Sequence, residues 1–274
     1  MDVGVVSRSF PQLTNVEIAD FMAKNGFKWV ELCFASIDAN YWRYNGRSDI
    51  SDLIGDKAAK LISDYRSKDI KVTAIGVFTN LLEPDERELE ENLLYFEKHM
   101  QIASQNKVPF VSTESGFIEG RRGILADSYE EDFNRLLDCL KWLTKKATEY
   151  DINIAFEPCV LDIVPSAKRM LDLINQVGSD RLKVLLDPAN LIANSSEKDM
   201  FKYLAPHIGY FHGKDRKVND AYGKVVGDGD IDWNLFLRLY KEYTNGKPFI
   251  LEYVNIDNVC EIRDRVLEYS GGGK

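Results

Sequence analysis

Short runs of β-branched, aromatic and aliphatic residues alternate along the chain with longer stretches in which apolar residues recur every three to four positions. The short runs read as strands at Val3–Val6, Trp29–Phe34, Lys71–Phe78, Pro109–Thr113, Asn153–Glu157, Lys183–Asp187, Gly209–His212 and Phe249–Glu252. The amphipathic stretches read as helices at Asn15–Asn25, Ser51–Lys68, Glu86–Asn106, Ser128–Tyr150, Ser166–Val177, Lys198–Leu204, Trp233–Tyr243 and Asn258–Glu268. Thr14, Ser128 and Ser166 stand where helix caps are needed, Pro165 suits a first turn, and Gly26, Gly178 and Gly246 end three of the helices.

Strand and helix alternating eight times is the pattern of parallel strands joined by crossover helices. At 274 residues the chain has the length of one closed barrel, for which roughly 250 residues is typical, so it needs no second domain. No proline-rich or glycine/serine-rich linker interrupts the pattern. The expected fold class is therefore α/β, a single-domain (β/α)8 TIM barrel over residues 1–269 with a flexible C-terminal tail at 270–274. An open doubly wound sheet satisfies the same alternation, because periodicity does not say whether the eighth strand returns to the first.

Charge narrows the partners. Lys and Arg number 35 against 44 Asp and Glu, a net charge of -9, and such a surface repels phosphate backbones and anionic membranes. Neither a nucleic acid nor a membrane is expected as a partner. No run approaches the roughly 18 apolar residues of a membrane span, and the N-terminus enters an apolar segment without a basic leader. Cys33, Cys139, Cys159 and Cys260 are scattered without a CxxC pair, which fits a reducing compartment. A cytoplasmic protein is the expectation, and a homo-oligomer paired through outer helices is compatible with the amphipathic faces.

Four polar residues terminate four successive apolar strands: Glu157, Asp187, His212 and Glu252. Any one of them could simply open a loop or cap the next helix. In a parallel barrel, however, C-terminal strand ends converge on one face, and three carboxylates brought together there need a cation. Oxygen donors with one imidazole suit a divalent metal, Mn2+ first, with Mg2+ and Co2+ comparable and Zn2+ less favoured.

These residues sit in recognisable surroundings. Phe156-Glu157-Pro158, Leu186-Asp187-Pro188-Ala189-Asn190-Leu191, Phe211-His212-Gly213-Lys214-Asp215 and Leu251-Glu252-Tyr253 follow strands five to eight, and Gly227-Asp228-Gly229-Asp230-Ile231-Asp232-Trp233 precedes the seventh helix. As a set they resemble the xylose isomerase-like superfamily of sugar isomerases and epimerases, in particular its ketose 3-epimerase and sugar-phosphate isomerase/epimerase branches, over nearly the whole chain. The resemblance implies that Glu157, Asp187, His212 and Glu252 are metal ligands and that Glu157 and Glu252 double as the catalytic acid/base pair. It implies proton abstraction beside a carbonyl through an enediolate, on a small sugar, sugar phosphate or polyol-derived ketone. The chain departs from the ketose epimerases at Asn190, where many carry a substrate-contacting histidine.

Around this centre Asn190, Lys214, Arg216 and Glu114 are candidate substrate-binding residues. Lys214 and Arg216 have the charge for a substrate oxyanion or phosphate, with Asp215 placed to orient one of them, or are solvated loop charges. Glu114 and Glu31 end strands on the same face and suit a sugar hydroxyl or support of the metal. Trp42, Tyr44 and Phe117 offer an apolar wall. His99 and His207 fall away from the mouth, so a histidine-rich three-metal nuclease site is not available to a chain with 3 histidines. Two other functions fit the same residues: a metal-dependent dehydratase (lyase) of an inositol-derived ketone, and a carbohydrate-binding barrel without catalysis.

Overall fold

The structure, a computed structural model, describes residues 1–244 and 246–271. Eight parallel strands follow one another around a closed barrel: β1 (Val3–Val6), β2 (Trp29–Leu32), β3 (Lys71–Gly76), β4 (Phe110–Thr113), β5 (Asn153–Phe156), β6 (Leu182–Leu186), β7 (Ile208–Gly213) and β8 (Phe249–Leu251). Closure is made by β8 on β1, with Val3, Gly4 and Val5 facing Phe249, Ile250 and Leu251 in parallel register. That pairing excludes the open sheet. A two-stranded antiparallel hairpin, Ala35–Ser36 with Ala39–Asn40, projects after β2.

The strands are buried on both sides, which is why they read as continuous apolar runs rather than as alternating ones. Val6, Ala74, Ala155, Leu185, Tyr210 and Ile250 pack inside the barrel. Their neighbours, among them Val5, Ile75, Ile154, Val184, Phe211 and Leu251, belong to the larger core shared with the helices. The helices are α1 (Asn15–Lys24), α2 (Asp56–Arg66), α3 (Glu86–Gln105), α4 (Tyr129–Glu149), α5 (Ala167–Val177), α6 (Glu197–Leu204), α7 (Trp233–Thr244) and α8 (Val259–Gly271). Among the described residues no helix is long and apolar enough to cross a membrane.

Local chemistry explains most boundaries. Thr14 and Glu17 form a reciprocal capping box at α1. Ser166 accepts from Arg169 N at the start of α5, and Gly178 ends that helix in the left-handed region, φ +65°. Pro165 therefore precedes the cap rather than forming the first turn. Ser128 does not cap α4, because its hydroxyl donates instead to Asp132 Oδ2 at 2.9 Å.

Two further expectations change. Helix α2 begins at Asp56, not Ser51: Asp49 Oδ1 accepts from Ser51 N, Leu53 N bonds Ile50 O, and the chain turns there before the helix begins. At the other end α8 includes Ser270 and Gly271, so the expected tail at 270–274 begins inside a helix. Gly272–Lys274 lie outside the described residues.

Candidate active site

Glu157, Asp187 and Glu252 stand one residue beyond β5, β6 and β8, and His212 is the penultimate residue of β7. One ligating atom from each lies within 4.8 Å of the others, and all four side chains are buried. The backbone still belongs to the barrel at this point, with Glu157 N donating to Thr113 O at 2.8 Å and Glu252 N to Gly213 O at 3.1 Å. The strand ladder thus fixes where the carboxylates leave it.

His212 is held from across the barrel. Its Nε2 lies 2.7 Å from Glu31 Oε2, which also accepts from Tyr210 Oη at 2.8 Å, while Ser112 Oγ donates to Glu31 Oε1 at 3.1 Å. Burial would raise the Glu31 pKa, but the His212 charge, the bonds from His212 and Tyr210, and Arg8 outweigh it and hold the carboxyl below its ordinary value. An ionised carboxylate has no proton to give, so Nε2 donates to Glu31. Against the effect of burial, the carboxylates of Glu31, Glu157 and Glu252 hold the imidazole pKa well above its ordinary value, and Nδ1 would offer a lone pair only where a cation took the place of its proton. Nδ1 faces Glu157 Oε1 at 3.5 Å and Glu252 Oε2 at 3.7 Å.

Lys214 Nζ lies 2.7 Å from Asp187 Oδ2 and 2.8 Å from Glu252 Oε2, close enough for ion pairing. Neither contact has hydrogen-bond alignment, so Asp187 Oδ2, Glu252 Oε2 and His212 Nδ1 are all buried without a hydrogen-bond partner. Leaving a buried polar atom unpaired costs about 1–3 kcal/mol. Two of these three atoms touch Lys214 Nζ, and gathered in one small volume with Glu157 they could hold a cation.

The two glutamates are driven in opposite directions. Burial raises Glu157 against the pull of His212 and Lys214. Burial would raise Glu252 as well, but Lys214, Arg8 and His212 together hold it well below the usual carboxylate range. Burial, only partly offset by Lys214, pushes Asp187 up to about 7. Divergent environments are what an acid/base pair requires.

Above the cluster opens a cavity of about 460 Å³ whose wall includes Arg8, Trp42, Tyr44, Phe78 and Glu114. Phe117 lies behind Tyr44, ring centroids 6.0 Å apart, so it backs the aromatic wall rather than lining it. Glu114 stands one residue past β4 and accepts from Tyr44 Oη at 2.7 Å. Burial and the charge of Asp162 push its carboxyl up to about 7. Glu114 belongs to a second group with Cys159 and Asp162, separate from the four-residue cluster. Of the two carboxyls expected to support that cluster, Glu31 does so by holding His212.

Asn190 and Arg216 also line the cavity. Asn190 Nδ2 donates to Glu157 Oε1 at 2.7 Å, so this side chain steadies one of the two glutamates. Asp215 does not pair with Lys214 or Arg216. Its carboxylate accepts from Gly227 N and Trp233 Nε1 at 3.0 and 2.7 Å, and from the Arg216 backbone at 2.8 Å, tying the loop between β7 and α7 together. His99 Nδ1 lies 2.9 Å from Tyr95 O within α3, and His207 precedes β7, both away from the cluster as expected.

Three charged residues around the mouth were not found from sequence. Arg8 pairs with Glu252 from the turn after β1, and the strand-end rule extended to the first strand points to it. Arg122 and Asp162 form an ion pair at 3.1 Å from loops 40 positions apart, with no periodic signal to link them.

The profile of the xylose isomerase-like TIM barrel family matches residues 19–268. No curated protein matches the chain. Among solved structures, an IolI protein with a binding zinc atom superposes with a TM-score of 0.75 at 18% identity, covering 99% of this chain and 95% of that one. D-psicose 3-epimerase with D-tagatose, from Clostridium cellulolyticum H10, gives 0.74 at 15% identity over 99% and 98% of the two chains. The probable 3-DHS dehydratase AsbF, involved in petrobactin synthesis in Bacillus anthracis, gives 0.75 at 15% identity over the full length of both. At such identities the likeness is one of fold.

Proposed function

The chain belongs to the xylose isomerase-like TIM barrel family, and from that premise we propose that it is a metal-dependent isomerase or epimerase of a small polyhydroxy carbonyl compound. The observation that carries this reading is the convergence of Glu157, Asp187, His212 and Glu252, with three of their nitrogen and oxygen atoms buried without a hydrogen-bond partner, two of them in contact with Lys214 Nζ. A divalent cation held by these four side chains, Mn2+ by the preference of mixed oxygen and imidazole donors, would supply the charge that acidifies a C–H beside the carbonyl. The zinc of the IolI protein supports a divalent ion without choosing between metals.

The protein's own groups divide the remaining work. Glu157, steadied by Asn190, and Glu252, steadied by Arg8, enter the cluster from β5 and β8. One removes the proton and the other returns it, to the same carbon for epimerisation or to the adjacent one for aldose–ketose exchange. Trp42, Tyr44 and Phe78 wall the cavity and keep bulk water from the enediolate.

The test is proton exchange by NMR in D2O, with Mn2+-loaded protein and a panel of free and phosphorylated ketoses and inositol-derived ketones. Deuterium entering one carbon, lost with chelator and reduced at least 100-fold in Glu157→Gln, is the expected result. Turnover undiminished in Glu157→Gln sinks the acid/base assignment, and ligand binding without any exchange favours a carbohydrate-binding barrel.

One observation favours a second reading, a dehydratase. Glu114, on the cavity wall with its carboxyl pushed up to about 7, is half protonated near neutrality and suited to protonate a departing hydroxyl. AsbF, of the same fold, is described as a dehydratase. New ultraviolet absorption from a conjugated product, with loss of water, identifies this chemistry.

A further inference from the structure

The cavity over the cluster includes four cationic side chains, and three of them meet a carboxylate. Arg8 pairs with Glu252, Arg122 with Asp162, and Lys214 with both Asp187 and Glu252. Arg216 is different: among the described residues no carboxylate pairs with it. Its side chain is buried, the residue being 4% exposed, yet it lines the cavity. Nη1 donates to the carbonyl oxygens of Asp220 and Ala221, both at 3.1 Å, and Nη2 to Asn190 Oδ1 at a long 3.4 Å. Nε is buried and has no partner. The carboxylate of Asp220 is engaged elsewhere, by Tyr222 N at 3.1 Å and Lys224 Nζ at 3.4 Å.

Carbonyl oxygens orient a guanidinium without neutralising it, and a buried charge with no counter-charge is costly. Arginine has no escape by deprotonation. The arrangement therefore holds a cation ready, in fixed orientation, for an anion that arrives with the ligand. We infer that Arg216 binds an anionic group of the substrate, a carboxylate or a phosphate, so that this barrel acts on an acidic sugar derivative in preference to a neutral ketose. The inference rests on the proposed function for the existence of a substrate carbonyl, and on the unpaired guanidinium for its charge.

The neighbouring bonds give the anion a second effect. Asn190 links the two parts of the site, its Oδ1 accepting from Arg216 while its Nδ2 donates to Glu157 Oε1. An anion seated on Arg216 is thereby placed one side chain away from the glutamate proposed to move the proton. Fork-shaped pairing of guanidinium with carboxylate or phosphate fixes orientation as well as affinity.

The experiment compares matched ligands by calorimetry on Mn2+-loaded protein: D-fructose, D-fructuronate and D-fructose 6-phosphate, and the same three forms of D-tagatose. At least one anionic member is expected to bind tenfold or more tightly than its neutral counterpart, and whether uronate or phosphate does so identifies the anion. Arg216→Gln is expected to erase that preference and Arg216→Lys to retain part of it, with thermal melting showing that both variants fold. Equal affinity for neutral and anionic members, no binding by any anionic member, or a preference that survives Arg216→Gln overturns the inference. Deuterium exchange followed on the same ligands separates the two claims. Anion preference without exchange removes the proton-transfer reading and keeps Arg216, whereas exchange on neutral ketoses without anion preference does the reverse.

Discussion

Glu31 lies deep inside the barrel, fully buried, and its role follows from what it leaves free on His212. By accepting a hydrogen bond from Nε2 it turns Nδ1 toward Glu157 and Glu252. Partners of this kind typically alter metal affinity by about 10–100-fold when removed. Glu31→Gln is accordingly expected to weaken Mn2+ binding by roughly tenfold or more, read by titration calorimetry, with the fold retained in circular dichroism. Unchanged affinity would mean that the imidazole is oriented by packing alone. From sequence, Glu31 was one carboxyl among several at strand ends. Its partner is 181 residues away on β7, and only the closed barrel shows which carboxyl holds the histidine.

The element that shapes the mouth most is the loop between β7 and α7. It gathers around the buried Asp215 carboxylate, which takes backbone donors from Gly227 and Arg216 and the indole of Trp233. Gly229 is packed so closely that a Cβ there would overlap the Asp215 carboxylate and the Arg216 backbone. Gly229→Ala is expected to cost about 1–3 kcal/mol by overpacking, seen as a lower urea midpoint, and to weaken ligand binding because the displaced backbone belongs to Arg216. An unaltered midpoint would show that the loop yields without cost. The glycine-rich acidic motif was visible in the sequence, but the sequence suggested an ion pair for Asp215, since neighbouring opposite charges invite one. The backbone donors win because a buried carboxylate can satisfy several of them at once.

For the whole molecule, ligands that bind only the folded barrel must stabilise it. Mn2+ at 100 times its dissociation constant adds about 2.7 kcal/mol, which for a chain of this size raises Tm by about 5–10 °C. Calorimetric melts with Mn2+ and with excess chelator are expected to differ by that amount, and coincident melts would remove the proposed metal site. The alternation of apolar runs and amphipathic stretches determined the α/β class, and with it the common end at which Glu157, Asp187, His212 and Glu252 emerge, because parallel strands all point their C-termini the same way. Strands β5, β6 and β8 end one residue earlier than the apolar runs suggested, just before Glu157, Asp187 and Glu252. Barrel closure, the Glu31–His212 contact, the Arg8–Glu252 and Arg122–Asp162 pairs and the solitary charge of Arg216 were decided only in three dimensions. Periodicity is local and records which way a side chain faces, whereas the pairing of charges across a barrel depends on contacts between residues far apart in the chain.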